Sequence, residues 1–377
     1  MQTLKPSPHR YNCHHAIITL GIGLTLTLGM PSTPVLATQT PTKTFNSFAD
    51  WCLHQNNLAP ETQGTVTLLL QVAGTTDCNQ ANQQLSTLTQ LILNGGQISD
   101  ISPLASLTNL ETLFLSNNQI SDVTPLASLT NLTTLALSVN QITDIRPLAS
   151  LSNLENLFLD SNQIADISPL ASLTQLTTLS LFDNQIAEIS PLASLTQLTT
   201  LSLFDNQITE ISPLASLTNL QTLSLSDNQI TDISSLSSLN QLTWLALGSN
   251  QISDIRPLQS LENLAWLAIF DNQISDLKPL TSLVKLAELS VGNNQITDIS
   301  SLASLTNLTE LLLFNNQIRD ITPARSLTNL SWLDLYNNQV KDITPVRSLT
   351  NLSWLDLRKN PLPDQTCPVK PESVCRF

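Results

Sequence analysis

Aliphatic side chains recur along most of this chain in a fixed 22-residue frame, L-x-x-L-x-L-x-x-N-Q-I-x-D-I-x-P-L-A-S-L-T-N, clearest at 110–131 as LETLFLSNNQISDVTPLASLTN. The frame returns without slippage, placing an Asn every 22 residues from Asn118 to Asn360. An earlier copy begins at Leu88 with Gly96 in the Asn slot, so thirteen coils run from 88 to 360. Self-similarity at this period marks a stacked array of supersecondary units, none of which can bury its apolar face alone.

Seven positions per coil are apolar, as in Leu110, Leu113, Leu115, Ile120, Val123, Leu126 and Leu129. The L-x-L spacing fits a short strand with alternate side chains pointing inward, and the other four line a return path. The Asn stands where the strand ends, so its amide is expected to satisfy backbone groups that the turn leaves unpaired in the interior. Pro occupies ten of the twelve equivalent positions from Pro103 to Pro345, with Ser235 and Ser301 as exceptions. That argues against a long helix on the return side and predicts a 3₁₀-like or extended segment.

The phrase resembles the leucine-rich repeat, and its N-x-I-x-D-I-x-P-L-x-x-L-x-N half looks like the internalin-type variant. The resemblance covers about three quarters of the chain. It implies an α/β solenoid: a horseshoe with a parallel sheet on its concave side, a 3₁₀ or extended convex side and a helical N-terminal cap. It also implies a recognition protein. This sequence departs from the internalins in having no immunoglobulin-like segment or cell-wall sorting signal after the array, so host-cell invasion is not carried over.

Outside the array the texture changes. Residues 1–15 carry Lys5 and Arg10 and no acid, Ala16 to Met30 form an apolar run, and Val35-Leu36-Ala37 ends in a small residue, which together read as a signal peptide over 1–37. The run is short for a membrane span. Residues 38–87 read as a helical cap. Phe45, Phe48, Trp51, Cys52 and Leu58 recur near helical spacing, Val66 to Val72 precedes Gly74, and Thr76-Asp77 can cap a helix from Cys78 to Leu85. This segment, with its W-C, L-L-L and D-C groups, looks like the N-terminal cap of secreted cyanobacterial leucine-rich repeat proteins. Asn360-Pro361-Leu362-Pro363 stops the repeat, and 361–377 would close the last coil.

Four cysteines follow the leader, Cys52 and Cys78 before the array and Cys367 and Cys375 after it. Two local disulfides are expected, and with them a secreted, periplasmic or extracellular location. A four-Cys zinc site would need the two ends of a rod to meet. The net charge of −14 disfavours nucleic acid and anionic membranes as partners.

Catalytic material is scarce. After the leader only His54 remains, there is no phosphate-binding glycine loop and no His/Cys metal cluster, so no cofactor is expected. One carboxylate per coil, Asp100 to Asp342 with Glu188 and Glu210 among them, is either a ladder of calcium ligands or a set of caps on the return turn.

The aromatic residues carry the functional signal. Counting a coil from its first Leu, positions 3, 5 and 7 flank the buried leucines and should point from the concave face. All array aromatics fall there: Trp244, Trp266, Trp332 and Trp354 at position 3, Phe114 and Phe158 at 5, and Phe182, Phe204, Phe270, Phe314 and Tyr336 at 7. Position 5 is small in the middle coils, at Ser180, Ser202, Ser224, Ala246, Ala268 and Ser290. A trough with aromatic walls follows, with acids along one edge at Asp183, Asp205, Asp227 and Asp271. Such a track marks a binding surface. The expected function is a secreted, monomeric, non-enzymatic scaffold that binds a protein or peptide there. A glycan stacked on the same aromatics is the alternative. A glycoside hydrolase would have to use Asp334 and Asp356, on adjacent strands, as its carboxylate pair.

Overall fold

The computed structural model describes residues 45–377, and the leader expected over 1–37 lies outside them. Thirteen three-residue strands recur every 22 residues from β1 (Gln90–Ile92) to β13 (Trp354–Asp356), and β14 (Cys375–Arg376) follows in the C-terminal tail. They form one parallel sheet in chain order. The register sets each repeat slot beside its own copy, as Leu113 with Leu135 and Leu135 with Leu157. On the other side run the 3₁₀ turns, from Ser102–Ser106 to Thr344–Ser348, so the expected return path is a 3₁₀ one. Pro sits in the first turn of most of them, where its missing N–H leaves no bond unmade. The seven apolar slots of the coil at Leu110 are all 0–1% exposed, and the equivalent residues join one aliphatic core along the stack.

The Asn ladder locks each coil to the one before it. Asn206 accepts from the Ile186 amide at 3.0 Å and donates to the carbonyls of Leu181 at 3.0 Å and Leu203 at 3.2 Å. The same three bonds recur from Asn118 to Asn360. Each amide therefore satisfies two coils, as the position at the strand end requires.

The residue before each Asn is left-handed, with φ between 49° and 59°. Asn and Asp tolerate that conformation best among residues with a β-carbon. Asp183, Asp205, Asp227 and Asp271 all occupy it. Their acidic edge thus has a backbone cause independent of any ligand.

Each Asp of the return-turn column caps its turn: its Oδ1 accepts from the amide two residues on at 2.8–2.9 Å, from Asp100 to Asp342. The capping alternative thus accounts for these aspartates. A further ladder was not anticipated. Ser128 Oγ donates to the Ala105 carbonyl of the preceding coil at 2.7 Å, and the serine of the PLAS phrase repeats this up to Ser348. Its signal was the constancy of that Ser in an otherwise tolerant convex segment.

Three helices cover the first coil: α1 (Phe48–Leu53), α2 (Pro60–Ala73) and α3 (Cys78–Leu85). Ser47 and Asp50 form a capping box on α1, Gly74 at φ 65° ends α2, and Asp77 caps α3. Thr62 Oγ1 donates to Asp100 Oδ2 at 2.5 Å and Thr65 Oγ1 to the Asp100 carbonyl at 2.6 Å, tying α2 to the array. Phe48, Val66, Leu69, Ala81 and Leu85 extend the aliphatic core into the cap. Cys52 is bonded to Cys78 and Cys367 to Cys375, the two local pairs expected. At the far end β14 pairs with β13, and Cys367, Val369 and Val374 are buried.

Asn206→Ala is expected to destabilise by about 1–3 kcal/mol, the cost of buried backbone groups left unpaired. Gln207→Ala, at an exposed neighbour, changes little. Equal denaturation midpoints for the two variants would contradict this account of the ladder.

Candidate functional site

Strand alternation points positions 3 and 5 out of the concave face, and position 7 follows where the strand ends. Strands in a sheet lie ~4.8 Å apart, so a bulky side chain there leans along the sheet onto its equivalent in the next coil. The tryptophans do this in pairs. Trp244 and Trp266 stack with centroids 4.3 Å apart and planes at 8°, Trp332 and Trp354 at 4.5 Å and 12°. All four are half-buried rather than fully displayed. Phe182 and Phe204 are tilted neighbours at 6.3 Å.

The phenylalanines need room. Phe270 lies against Gly248 and Phe314 against Gly292, and neither glycine could carry a β-carbon without meeting the ring. Each glycine precedes its Phe by 22 residues at the same slot. Phe314 is only 8% exposed, so the expectation that it forms a displayed wall is not met. The position 5 floor is also closed: Ser180 is 2% exposed, Ala246 0% and Ala268 1%, because these small side chains sit between bulkier columns. What remains accessible is the aromatic rim rather than an open trough.

The C-terminal end carries its own cations. The Arg376 guanidinium lies 3.4 Å from the Trp354 ring centroid, and Arg358 and Lys359 lie 5.4 and 5.0 Å from that of Tyr336. Trp354 is therefore covered on one face by Trp332 and approached on another side by Arg376.

Asp334 and Asp356 are strand partners, but they do not form a free carboxylate pair. Asp356 is 3% exposed and held by Arg358, Nη2 to Oδ2 at 2.5 Å and Nε to Oδ1 at 3.0 Å, while Asp334 Oδ1 accepts from the Tyr336 amide at 2.8 Å. A carboxylate clamped by a guanidinium is a poor nucleophile, so this geometry does not support the hydrolase alternative. On the convex side a depression of about 650 Å³ includes Asp232, Asp254, Arg256 and Pro257. Its Asp254–Arg256 pair is exposed at 2.5 Å.

Two features of the concave face escaped the aromatic argument. One is a pair of acids, Glu288 and Glu310, side by side at position 3 between the tryptophan stacks. Burial, then the charge of Glu288, holds the Glu310 carboxyl above its ordinary range. Burial first, with charges of Asp205 and Asp271 behind it, also raises Asp227, and burial raises Asp271. The other feature is Asp160 at position 7, 5% exposed, which accepts from Ser180 Oγ, from Ser138 Oγ at 3.0 Å and from the Phe182 amide at 3.3 Å. Burial pushes its carboxyl up to about 6 despite those donors. Its signal was a lone acid in a column otherwise filled here by Ser and Phe.

The family described as Leucine Rich repeats (2 copies) matches 86–128, 130–172, 174–216, 218–260, 262–304, 284–327 and 306–348. The chain belongs to the leucine-rich repeat family. An internalin, inlF, of Listeria monocytogenes is 38% identical, with TM-score 0.78 over 81% of this chain and 93% of its own. The ectodomain of the plant receptor kinase GASSHO1/SCHENGEN3 of Arabidopsis thaliana, in complex with Casparian strip integrity factor 2, is 27% identical with TM-score 0.63, over 72% of this chain and 38% of its own. A Leptospira interrogans leucine-rich repeat protein, 24% identical, shares the fold at TM-score 0.67 over 85% and 95%. No curated relative matches in sequence.

A carboxyl raised in the folded state binds more protons there than in the unfolded chain, so its stabilising contribution is present below about pH 4 and lost as pH rises through about 6. Asp160→Asn, which keeps an acceptor without the charge, is expected to raise stability at pH 7 by on the order of 2–3 kcal/mol. At pH 4 the two proteins should unfold together. A gain of the same size at both pH values would show that the buried charge is not its cause.

Proposed function

We propose that this chain is an exported recognition scaffold that binds a protein or peptide ligand across its concave face, as a monomer closed by caps at 38–87 and 361–377. The observation that carries this reading is the pair of half-exposed tryptophan stacks on one column of that face. Trp and Tyr dominate interface energetics, and rigid stacked rings lose little freedom when a partner covers them. The two disulfides suit an oxidising compartment, which agrees with the leader expected over 1–37. The receptor ectodomain above, whose ligand is another molecule held in complex, supports a binding role for such an array.

Heptapeptides selected from a random display library on the oxidised protein provide the probe. Trp266→Ala and Trp332→Ala are each expected to weaken binding of the selected peptides at least about tenfold, the scale of an aromatic hot spot. Because each ring is stacked, truncation also costs roughly 0.5–1.5 kcal/mol of stability. Arg256→Ala, on the convex side, changes neither. Selected peptides that bind both tryptophan variants as well as wild type would overturn the concave-face reading, and soluble oligosaccharides that quench the tryptophan fluorescence would point to a glycan instead.

A further inference from the structure

In strand order the position 3 column reads Trp244, Trp266, Glu288, Glu310, Trp332, Trp354, one residue on each strand from β8 (Trp244–Ala246) to β13. Each neighbour is an in-register partner. The rings of each tryptophan pair are nearly parallel and set on adjacent strands, so their normals run along the sheet. The outer face of Trp266 then looks toward Glu288 and that of Trp332 toward Glu310. Three strand steps separate the two tryptophans, ~14 Å.

We propose, building on the concave-face reading, that this gap is a cradle for two cationic side chains of an extended peptide segment in a protein partner, spaced as basic-x-basic. Residues i and i+2 of an extended chain lie ~6.6 Å apart on one face, close to the separation of one strand step. A segment lying along the column would set one cation between Trp266 and Glu288 and the other between Glu310 and Trp332. Each would gain a carboxylate partner and an aromatic face within the ~6 Å reach of a cation–π contact.

Four independent observations support this occupant. Like charges directly opposite on neighbouring strands are destabilising, and here Glu288 and Glu310 face each other without a base in the columns of the surrounding coils. Position 3, 5 and 7 residues from Trp244 to Tyr336 include Glu288, Glu310 and Asp334 as acids and no Lys or Arg. Ser290, on the same face of the same strand as Glu288, is 8% exposed with its Oγ lacking a hydrogen-bond partner, as does the Trp332 Nε1. A peptide backbone laid over the cradle can offer groups to such polar atoms once side chains adjust. Finally, the protein already makes this contact at the end of the same column, where Arg376 sits on the Trp354 ring at 3.4 Å.

The same selection tests the proposal, run at physiological salt on wild type, on Glu288→Gln/Glu310→Gln and on Glu188→Gln/Glu210→Gln. The last pair removes equal charge at exposed positions away from the concave columns. Wild type and the Glu188/Glu210 variant are expected to enrich basic-x-basic peptides. Those peptides should bind the Glu288/Glu310 variant at least about tenfold less well, as close charge pairs at interfaces do. Equal enrichment of basic peptides on all three proteins would overturn the proposal and assign it to the general negative charge. Selected peptides without basic residues that still lose binding in Trp266→Ala would also overturn it, while leaving the concave-face reading intact.

Discussion

The bond on which the rest of this molecule depends is the one each strand-end asparagine makes to the coil before it. Asn206 serves the amide of Ile186 and the carbonyl of Leu181 in that coil and the carbonyl of Leu203 in its own. A side chain that must reach a fixed donor 20 residues back and a fixed acceptor 25 back tolerates no insertion between them. Repeat length is therefore a hydrogen-bond constraint, and the constancy of the 22-residue frame follows from it. The left-handed residue before each Asn and the Asp-capped 3₁₀ turn after it are the backbone consequences of turning a chain within so short a distance.

A strict register has a functional corollary. With every slot beside its own copy, the concave face becomes a set of straight columns with ~4.8 Å spacing. Whatever occupies a column interacts first with its equivalents. Two tryptophans in succession stack, a phenylalanine requires a glycine 22 residues earlier, and two glutamates in succession repel. The constant positions thus build the rod, and the variable ones write a one-dimensional pattern of faces, charges and gaps along it.

Legibility in the sequence divides along the same line. The coil count, the parallel sheet, the 3₁₀ return, the Asn ladder and both disulfides could be read because each depends on a residue type at a repeating slot. The environment of individual concave side chains could not, since it depends on which residue sits one coil away. Phe314 reads as a wall until Gly292 is set beside it, and the ring then fills the vacancy. Asp160 looks like one more surface acid until Ser138 and Ser180 are seen to converge on it. The acids at Asp183 and Asp205 look like an electrostatic edge, yet the positive φ of their slot already selects Asp or Asn.

The concave face is also polar from end to end. Toward its C-terminal limit Arg358 neutralises Asp356 and stands with Lys359 near Tyr336, and Arg376 caps the last tryptophan. Further back, from β8 to β12 (Trp332–Asp334), the columns hold acids and no base. Exposed charges act within about 8 Å at physiological salt, roughly two strand steps, so the two zones are felt separately by a ligand. A cation is attracted over Glu288 and Glu310 and repelled one or two coils later. Register on such a repetitive surface cannot come from shape, because every coil offers the same backbone. It has to come from this change of sign, together with the interruption of the tryptophan column by the two glutamates.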